Sequence, residues 1–352
     1  MGAIDPDQLN QLDTTQRACE NGKKHLTNAA RNHPKSQRPR RGLYSVAMSS
    51  QRPIRVVVAF HSIFYAPLPV AIHGGHFAAE GVDVDPDTPA LAAGTVGALQ
   101  SGAADVSLSG IMRSLDIADR GGAAPVHFAN VNDRNGFFLL SRQAHPSFAW
   151  SDLIGTTVIS FGGAPTPWLC MQSVLRRHGV DPARVTFLRG LSNEDAVTAF
   201  RDRKGDFIEH GPPVVDHLLA EGTGHLVASM GEATGPVPFS SLMATRETLT
   251  RDRERLVRLV RGLARALGWM ASSAAEEIAA VIAPAFPDVD PRIRVAAIDR
   301  YLRQSTWARD PVLTRSGYDT LHTILLDAGF IKRAHRFEDL IDVDIARRAA
   351  GY

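Results

Sequence analysis

Glu209-His210-Gly211-Pro212 sets a carboxylate beside an imidazole at the end of a short apolar run. Such a pair can move a proton as general acid and base, or can simply hydrogen-bond a ligand. His61-Ser62-Ile63-Phe64-Tyr65 offers a second chemistry, an imidazole, a hydroxyl and two aromatic rings just ahead of a helical pattern that opens at Ala66. Unpaired N–H groups at a helix start, next to aromatic walls, suit a small planar or anionic ligand, although Phe64 and Tyr65 would serve equally well as core cover. A third place is Phe161-Gly162-Gly163-Ala164-Pro165-Thr166-Pro167-Trp168. Its glycines permit close backbone approach, and the helix that follows again favours an anion. Trp168 reads either as core or as a stacking wall. The loop lacks the Lys-Ser/Thr ending of a phosphate-binding P-loop, so nucleotide binding is not expected.

Smaller signals join these. Thr95, after Gly94, stands where an N-cap would sit, and a cap facing a crevice is also a ligand donor. Ser109-Gly110 and Asn132 each follow an apolar strand run. His73 and His76 are spaced three apart on one helical pattern without a further ligand at a defining spacing, so no metal is expected. Ser62, Ser109 and Ser160 lie in no Gly-x-Ser-x-Gly elbow, which leaves no sign of a hydrolase triad.

The elements that must hold these residues alternate. Val56 to Phe60 is an apolar β-branched run, Ala66 to Ala79 has helical spacing ending at Gly81, and Val82 to Val84 restarts as strand. A short helix from Gly94 to Gln100, a strand from Asp105 to Leu108, a helix to Ala118 and a strand from Val126 to Val131 continue the pattern. After an extended crossing near Phe137 the same grammar repeats, with strands at Thr156–Ser160, Val185–Leu188, Phe207–Glu209 and Leu226–Ser229 and helices between them. A turn-rich stretch, Gly231 to Pro238, leads to an extended return at Phe239–Ala244. From Thr250, expected to cap a helix over Arg251–Met270, the chain reads as helical. Ser273 with Glu276 is expected to form a capping box for the next helix. Short connections between strands and helices predict α/β architecture with mostly parallel sheets and helices on both faces. Ligands of such sheets bind outside the carboxyl ends of the strands.

Composition sets the outer bounds. The 352 residues are 44% hydrophobic and 22% charged, enough apolar material for a large core and, by length, for two domains. Residues 1–52 carry nine Lys/Arg against four Asp/Glu, which leaves the remainder at 30 against 33. A nearly neutral body argues against nucleic acid as a partner. Residues 1–47 are polar and without apolar period, and 1–52 read as a disordered leader. The basic cluster Arg38 to Arg41 is followed by too short and too polar a run for a secretory signal, so location stays open between periplasm and cytoplasm. No stretch reaches the ~18 apolar residues of a membrane span. Cys19 and Cys170 cannot by themselves hold a metal.

Ala66-Pro67-Leu68-Pro69-Val70-Ala71 with Gly75-His76-Phe77-Ala78-Ala79-Glu80-Gly81-Val82-Asp83-Val84 resembles the opening of type II periplasmic binding proteins of the NMT1/THI5-like group. Ala98 to Val106, Leu153 to Val158, His178 to Pro182 and the end from Phe330 to Asp342 are similar to later parts of that pattern, over roughly residues 54 to 345. The resemblance implies a two-lobed clamp, with residues 53–137 plus 243–352 in one lobe and 138–242 in the other. It implies a ligand in the cleft touched by His61, Tyr65, Ala66, Gly94, Thr95, Ser109, Gly110, Asn132, Gly162, Gly163, Thr166, Trp168, Glu209 and His210. The function it implies is that of a solute-binding protein of an ABC-type importer, taking a sulfonate, nitrate, taurine or pyrimidine-like compound without a cofactor. Expected partners are that small molecule and an ABC permease, with the chain a monomer. The alternative is a cytoplasmic enzyme on the same fold, a decarboxylase, desulfinase or pyrimidine-precursor synthase, for which His61, Glu209 and His210 would be the catalytic residues. The Cys-rich segment of the group's pyrimidine synthases is absent.

Overall fold

The computed structural model describes residues 52–88 and 94–351, so the expected leader, up to residue 51, lies outside the described residues. Ten strands form two five-stranded sheets of the same design. The first holds β1 (Ile54–Val58), β2 (Val84–Asp87), β3 (Val106–Ser109), β4 (Val126–Asn132) and β10 (Ser240–Ala244), in the order β2-β1-β3-β10-β4. The second holds β5 (Phe138–Ser141), β6 (Thr157–Ile159), β7 (Thr186–Leu188), β8 (Phe207–His210) and β9 (His225–Ser229), in the order β7-β6-β8-β5-β9. β10 pairs antiparallel with both β3 and β4, and β5 with both β8 and β9, while the β1–β2, β1–β3, β6–β7 and β6–β8 pairs are parallel. Each sheet therefore has one reversed strand, and that strand is the one reached by crossing from the other sheet. This is the two-lobed, mostly parallel α/β architecture that the alternation of runs predicts.

β1, β3 and β4 are almost wholly buried, covered on both faces even where they carry polar residues such as Ser107, His127 and Asn130. One large core joins the two sheets' inner faces through residues such as Phe64, Phe138, Tyr301 and Trp307. A second, smaller core lies on the far face of the second sheet, around Leu139, Val158, Met171 and Phe207.

Several local expectations are corrected. The helix expected over Ala66–Ala79 is two helices, Pro67–His73 and His76–Ala79, because Gly74 and Gly75 interrupt it and Gly75 adopts a φ of 75°. Thr250 lies inside the helix Arg246–Arg251, whose cap is Thr245, accepting from the Thr248 amide. The long helix Arg253–Ser272 begins after Asp252 instead. At the next helix, Ala275–Ile282, Glu277 and not Glu276 takes the capping role: its carboxylate accepts from the Ala274 amide at 2.8 Å. Ser273 turns back and donates to the Trp269 carbonyl. The turn-rich stretch after Ser229 contains a helical turn, Met230–Thr234, capped by Ser229.

Candidate functional site

The carboxyl ends of β1, β3, β6 and β8 converge on one cavity of about 180 Å³ between the two sheets. Its walls are aromatic, with Phe60, Phe64, Tyr65, Phe137, Phe161, Phe239 and Tyr301 on them. These rings brace one another: Phe137 and Phe161 lie 4.6 Å apart, and Phe64 meets Phe239 edge-on at 5.9 Å. Edge-to-face and tilted packing of this kind holds rings in place without filling the space between them.

Little backbone is offered to a ligand. The helices Pro67–His73 and Pro165–Arg177 both open with Pro-x-Pro, and the helix Val214–Ala220 follows Pro212 and Pro213. Proline has no N–H, so the first two starts each lack two first-turn donors and the third lacks the one at its cap. Polar recognition falls to side chains.

The strongest of these is Arg113, in the first turn of the helix Met112–Asp119 that follows β3. Its Nε donates to Ser109 Oγ at 2.9 Å, and among the described residues its guanidinium meets no carboxylate within ion-pair distance. Asp116, one turn on, is bonded instead to Arg120. Burial lowers the Arg113 pKa, but a guanidinium stays charged in any protein setting, so the cavity wall carries a positive charge to which no carboxylate is bonded among the described residues. Beside it stand Tyr65 and Ser240 on the same wall. Burial pushes the Tyr65 phenol up to about 12, which keeps it a neutral donor.

His210 enters from the opposite side. Its ring stands perpendicular to Phe161 at 5.5 Å, and Nδ1 is 2.9 Å from the Gly211 amide that donates to it. Burial pulls the imidazole down to about 4, so it is neutral at ordinary pH.

Of the residues expected at the ligand, His61, Tyr65, Ser109, Gly110, Thr166 and His210 line this cavity. His61 is at the exposed mouth, its ring 4.7 Å from Phe286. The others do not line it, for identifiable reasons. Ala66 is wholly buried at the start of its helix. Asn132 acts one step back, its amide donating to the Phe64 carbonyl at 2.8 Å, where Trp307 Nε1 also donates at 2.9 Å. Gly94 and Thr95 lie inside the helix Gly94–Gln100, with Thr95 fully buried within the first turn rather than at its cap. That helix packs through Leu99 against Val57, Ala104 and Met243. Gly162 and Gly163 serve close packing: a Cβ on Gly162 would come within 2.2 Å of the Leu191 carbonyl oxygen, and one on Gly163 within 2.6 Å of the Phe161 ring. Trp168 packs edge-on against Phe187 at 4.4 Å, with the Arg189 guanidinium over its ring.

Glu209 is the main correction. Successive strand residues face opposite sides, so Glu209 and His210 cannot share the cleft. Glu209 points with Phe207 to the far face of the sheet, beside buried Cys170, and neither carboxyl oxygen has a hydrogen-bond partner among the described residues. Burial pushes its carboxyl up to about 8. A neutral acid sealed from the cavity has no proton to exchange with a ligand there. Among the described residues no three His, Cys, Asp or Glu side chains are grouped so as to hold a metal ion.

Sequence reasoning missed Arg113, Gly136 and the rings of Phe60, Phe239 and Tyr301 as cavity walls. Gly136 lines the cavity at the first crossing, where a Cβ would fall 2.3 Å from the Phe64 ring. The signal for Arg113 was present: a strand ending in Ser109-Gly110, then an arginine one turn into the next helix.

Two mixed sheets closing on a side-chain-lined cleft define a protein of the two-lobed periplasmic-binding-protein fold. The profile of the family described as NMT1/THI5 like matches residues 63–277, and the chain belongs to that family. It is 30% identical over 297 residues to a Bacillus subtilis (strain 168) protein named "Putative binding protein YtlA", covering 84% of this chain and 89% of that one. Among solved structures it resembles the alkanesulfonate-binding protein SsuA of Xanthomonas axonopodis pv. citri bound to MOPS, with a TM-score of 0.65 at 16% identity over 84% of this chain and 99% of the other. It also resembles the desulfurization enzyme DSZB, with a TM-score of 0.62 at 14% identity over 85% of this chain and 99% of that one. At these identities the two structures establish a shared fold.

Proposed function

We propose that this chain is the solute-binding protein of an ABC-type importer and that it takes a small organic anion with an aromatic or apolar body. The observation that carries the reading is Arg113, a half-buried cation that no carboxylate bonds among the described residues, set at one side of a cavity walled by aromatic rings. A sulfonate or carboxylate would accept from the guanidinium in the bidentate manner that arginine favours, with Tyr65, Ser109 and Ser240 as neighbouring hydroxyls. The apolar remainder of the ligand would leave water for the ring-lined part. Nitrate or taurine would leave these rings uncovered and are weaker candidates. The binding-protein name of the relative YtlA and the sulfonate-binding name of the neighbour SsuA support the same reading.

In this reading the halves of a clamp are the first sheet (β1–β4 and β10) with the helices after it, and the second sheet (β5–β9) with its helices, hinged where the chain crosses near Phe137 and Phe239. The enzymatic reading, which drew on His61, Glu209 and His210, loses its acid: Glu209 and Cys170 are buried away from the cavity, and His61 sits at the mouth. A thermal-shift screen against arylsulfonates, aromatic carboxylates and pyrimidines tests the proposal, followed by chromatography of any stabilising compound after prolonged incubation. Stabilisation by an aromatic acid recovered intact supports it; conversion of that compound, or stabilisation by neutral pyrimidines alone, overturns it.

A further inference from the structure

His210 is 5% exposed, lines the cavity, and carries a ring nitrogen, Nε2, that has no hydrogen-bond partner among the described residues. Which hydrogen that nitrogen holds follows from its twin. The Gly211 amide donates to Nδ1 at 2.9 Å, and because a backbone N–H can only donate, Nδ1 is the acceptor. The Gly211 carbonyl, 3.1 Å from the same nitrogen, is then not its bonding partner. A neutral imidazole with Nδ1 accepting must carry its proton on Nε2. Buried donors are almost always paired in native proteins, and an orphan on a cavity wall is an opening for a ligand acceptor.

We infer that the ligand is bifunctional: an aromatic acid whose body carries, away from the acid, a hydrogen-bond acceptor such as a carbonyl, nitro or ether oxygen that takes the His210 Nε2–H. This rests on the proposed function, because it needs the acid to be anchored at Arg113. The two polar sites come from different lobes, Arg113 from the helix after β3 and His210 from the end of β8. An acid with an acceptor would bridge the lobes, whereas one without it would hold to the first lobe alone. His210 is in this account a specificity-determining residue, and it donates without any proton transfer.

The test uses near-isosteric probes, 4-acetylbenzoate against 4-isopropylbenzoate and the corresponding benzenesulfonates, titrated calorimetrically into the full chain. Wild type should prefer the acetyl member by about tenfold, the effect of one buried neutral hydrogen bond. His210→Phe should bring the pair within about twofold, and His210→Gln, which keeps a donor, should restore part of the preference. Arg113→Gln should weaken both members alike. Equal affinity of wild type for the two members, with both still dependent on Arg113, overturns the role of His210 while leaving the anion site standing. A preference that survives in His210→Phe overturns it too. If no member of either series binds wild type, the aromatic-anion reading falls and takes this inference with it.

Discussion

Arg300 donates from Nε and Nη2 to the same oxygen of Asp216, Oδ1, at 3.0 and 2.9 Å, and so ties the helix Pro291–Arg303 to the helix Val214–Ala220. In the proposed clamp the first belongs with one half and the second with the other. Tyr301, next to Arg300, and Pro213, three residues before Asp216, are both on the cavity wall. Asp216 is buried, its second oxygen has no hydrogen-bond partner among the described residues, and burial pushes its carboxyl up even with Arg300 beside it.

Removing Arg300 would leave the buried Asp216 carboxyl without its counter-charge. Arg300→Leu should destabilise the chain by ~3 kcal/mol, whereas Asp216→Leu combined with Arg300→Leu should recover most of the loss. In the proposed clamp the pair joins the two halves, so Arg300→Leu should also raise the radius of gyration of the ligand-free chain in small-angle scattering. Denaturant melts and scattering that both match wild type would show that the pair holds nothing together.

Glu209 gives the chain a pH dependence whose sign is fixed. Its carboxyl is raised from 4.5 to about 8 by burial, so between those values the folded chain keeps a proton that the unfolded chain has released. Stability contributed through this group is greatest at low pH, falls as pH rises through that window, and levels off above about 8. The whole fall is on the order of a few kcal/mol. Glu209→Gln, which cannot ionise, should flatten this part of the slope in urea melts from pH 5 to 8 and be the more stable protein at pH 8. A wild-type slope unchanged in the variant would place Glu209's ionisation elsewhere.

Gly162→Ala tests the loop between β6 and the helix Pro165–Arg177. The new methyl group would meet the Leu191 carbonyl at 2.2 Å, a backbone atom that cannot rotate away. A loss of ~1–3 kcal/mol is expected from such overpacking, read as a lower melting temperature. An unchanged melting temperature would mean that the two loops part easily.

Much of the fold was legible in the sequence because strands buried on both faces are rich in apolar residues, as in the β-branched run Val56–Val58. Elements held by tertiary contacts rather than by periodicity were not. The turn Met230–Thr234 sits among glycines, and Asp344–Ala350 is a short helix whose Ile345 and Ala346 are anchored against the rest of the fold. For the site, strand ends pointed to the crevice that holds the aromatic cavity, and six of the expected residues line it. The Glu209-His210 pair misled because adjacency in sequence is opposition in a strand. Arg113 was passed over for a different reason: its place just after Ser109-Gly110 was readable, but an arginine in a short helix looks solvent-facing until the structure shows which cations have carboxylates and which do not.

The central claim is that an organic anion binds at Arg113, and titration calorimetry of benzoate and benzenesulfonate series into wild type and Arg113→Gln at fixed salt tests it most directly. Loss of a charge-assisted hydrogen-bond donor in a buried site should weaken binding by about 10- to 100-fold, with Arg113→Lys intermediate because it keeps the charge but not the planar fork. Arg113→Gln binding these acids as tightly as wild type does would contradict the account.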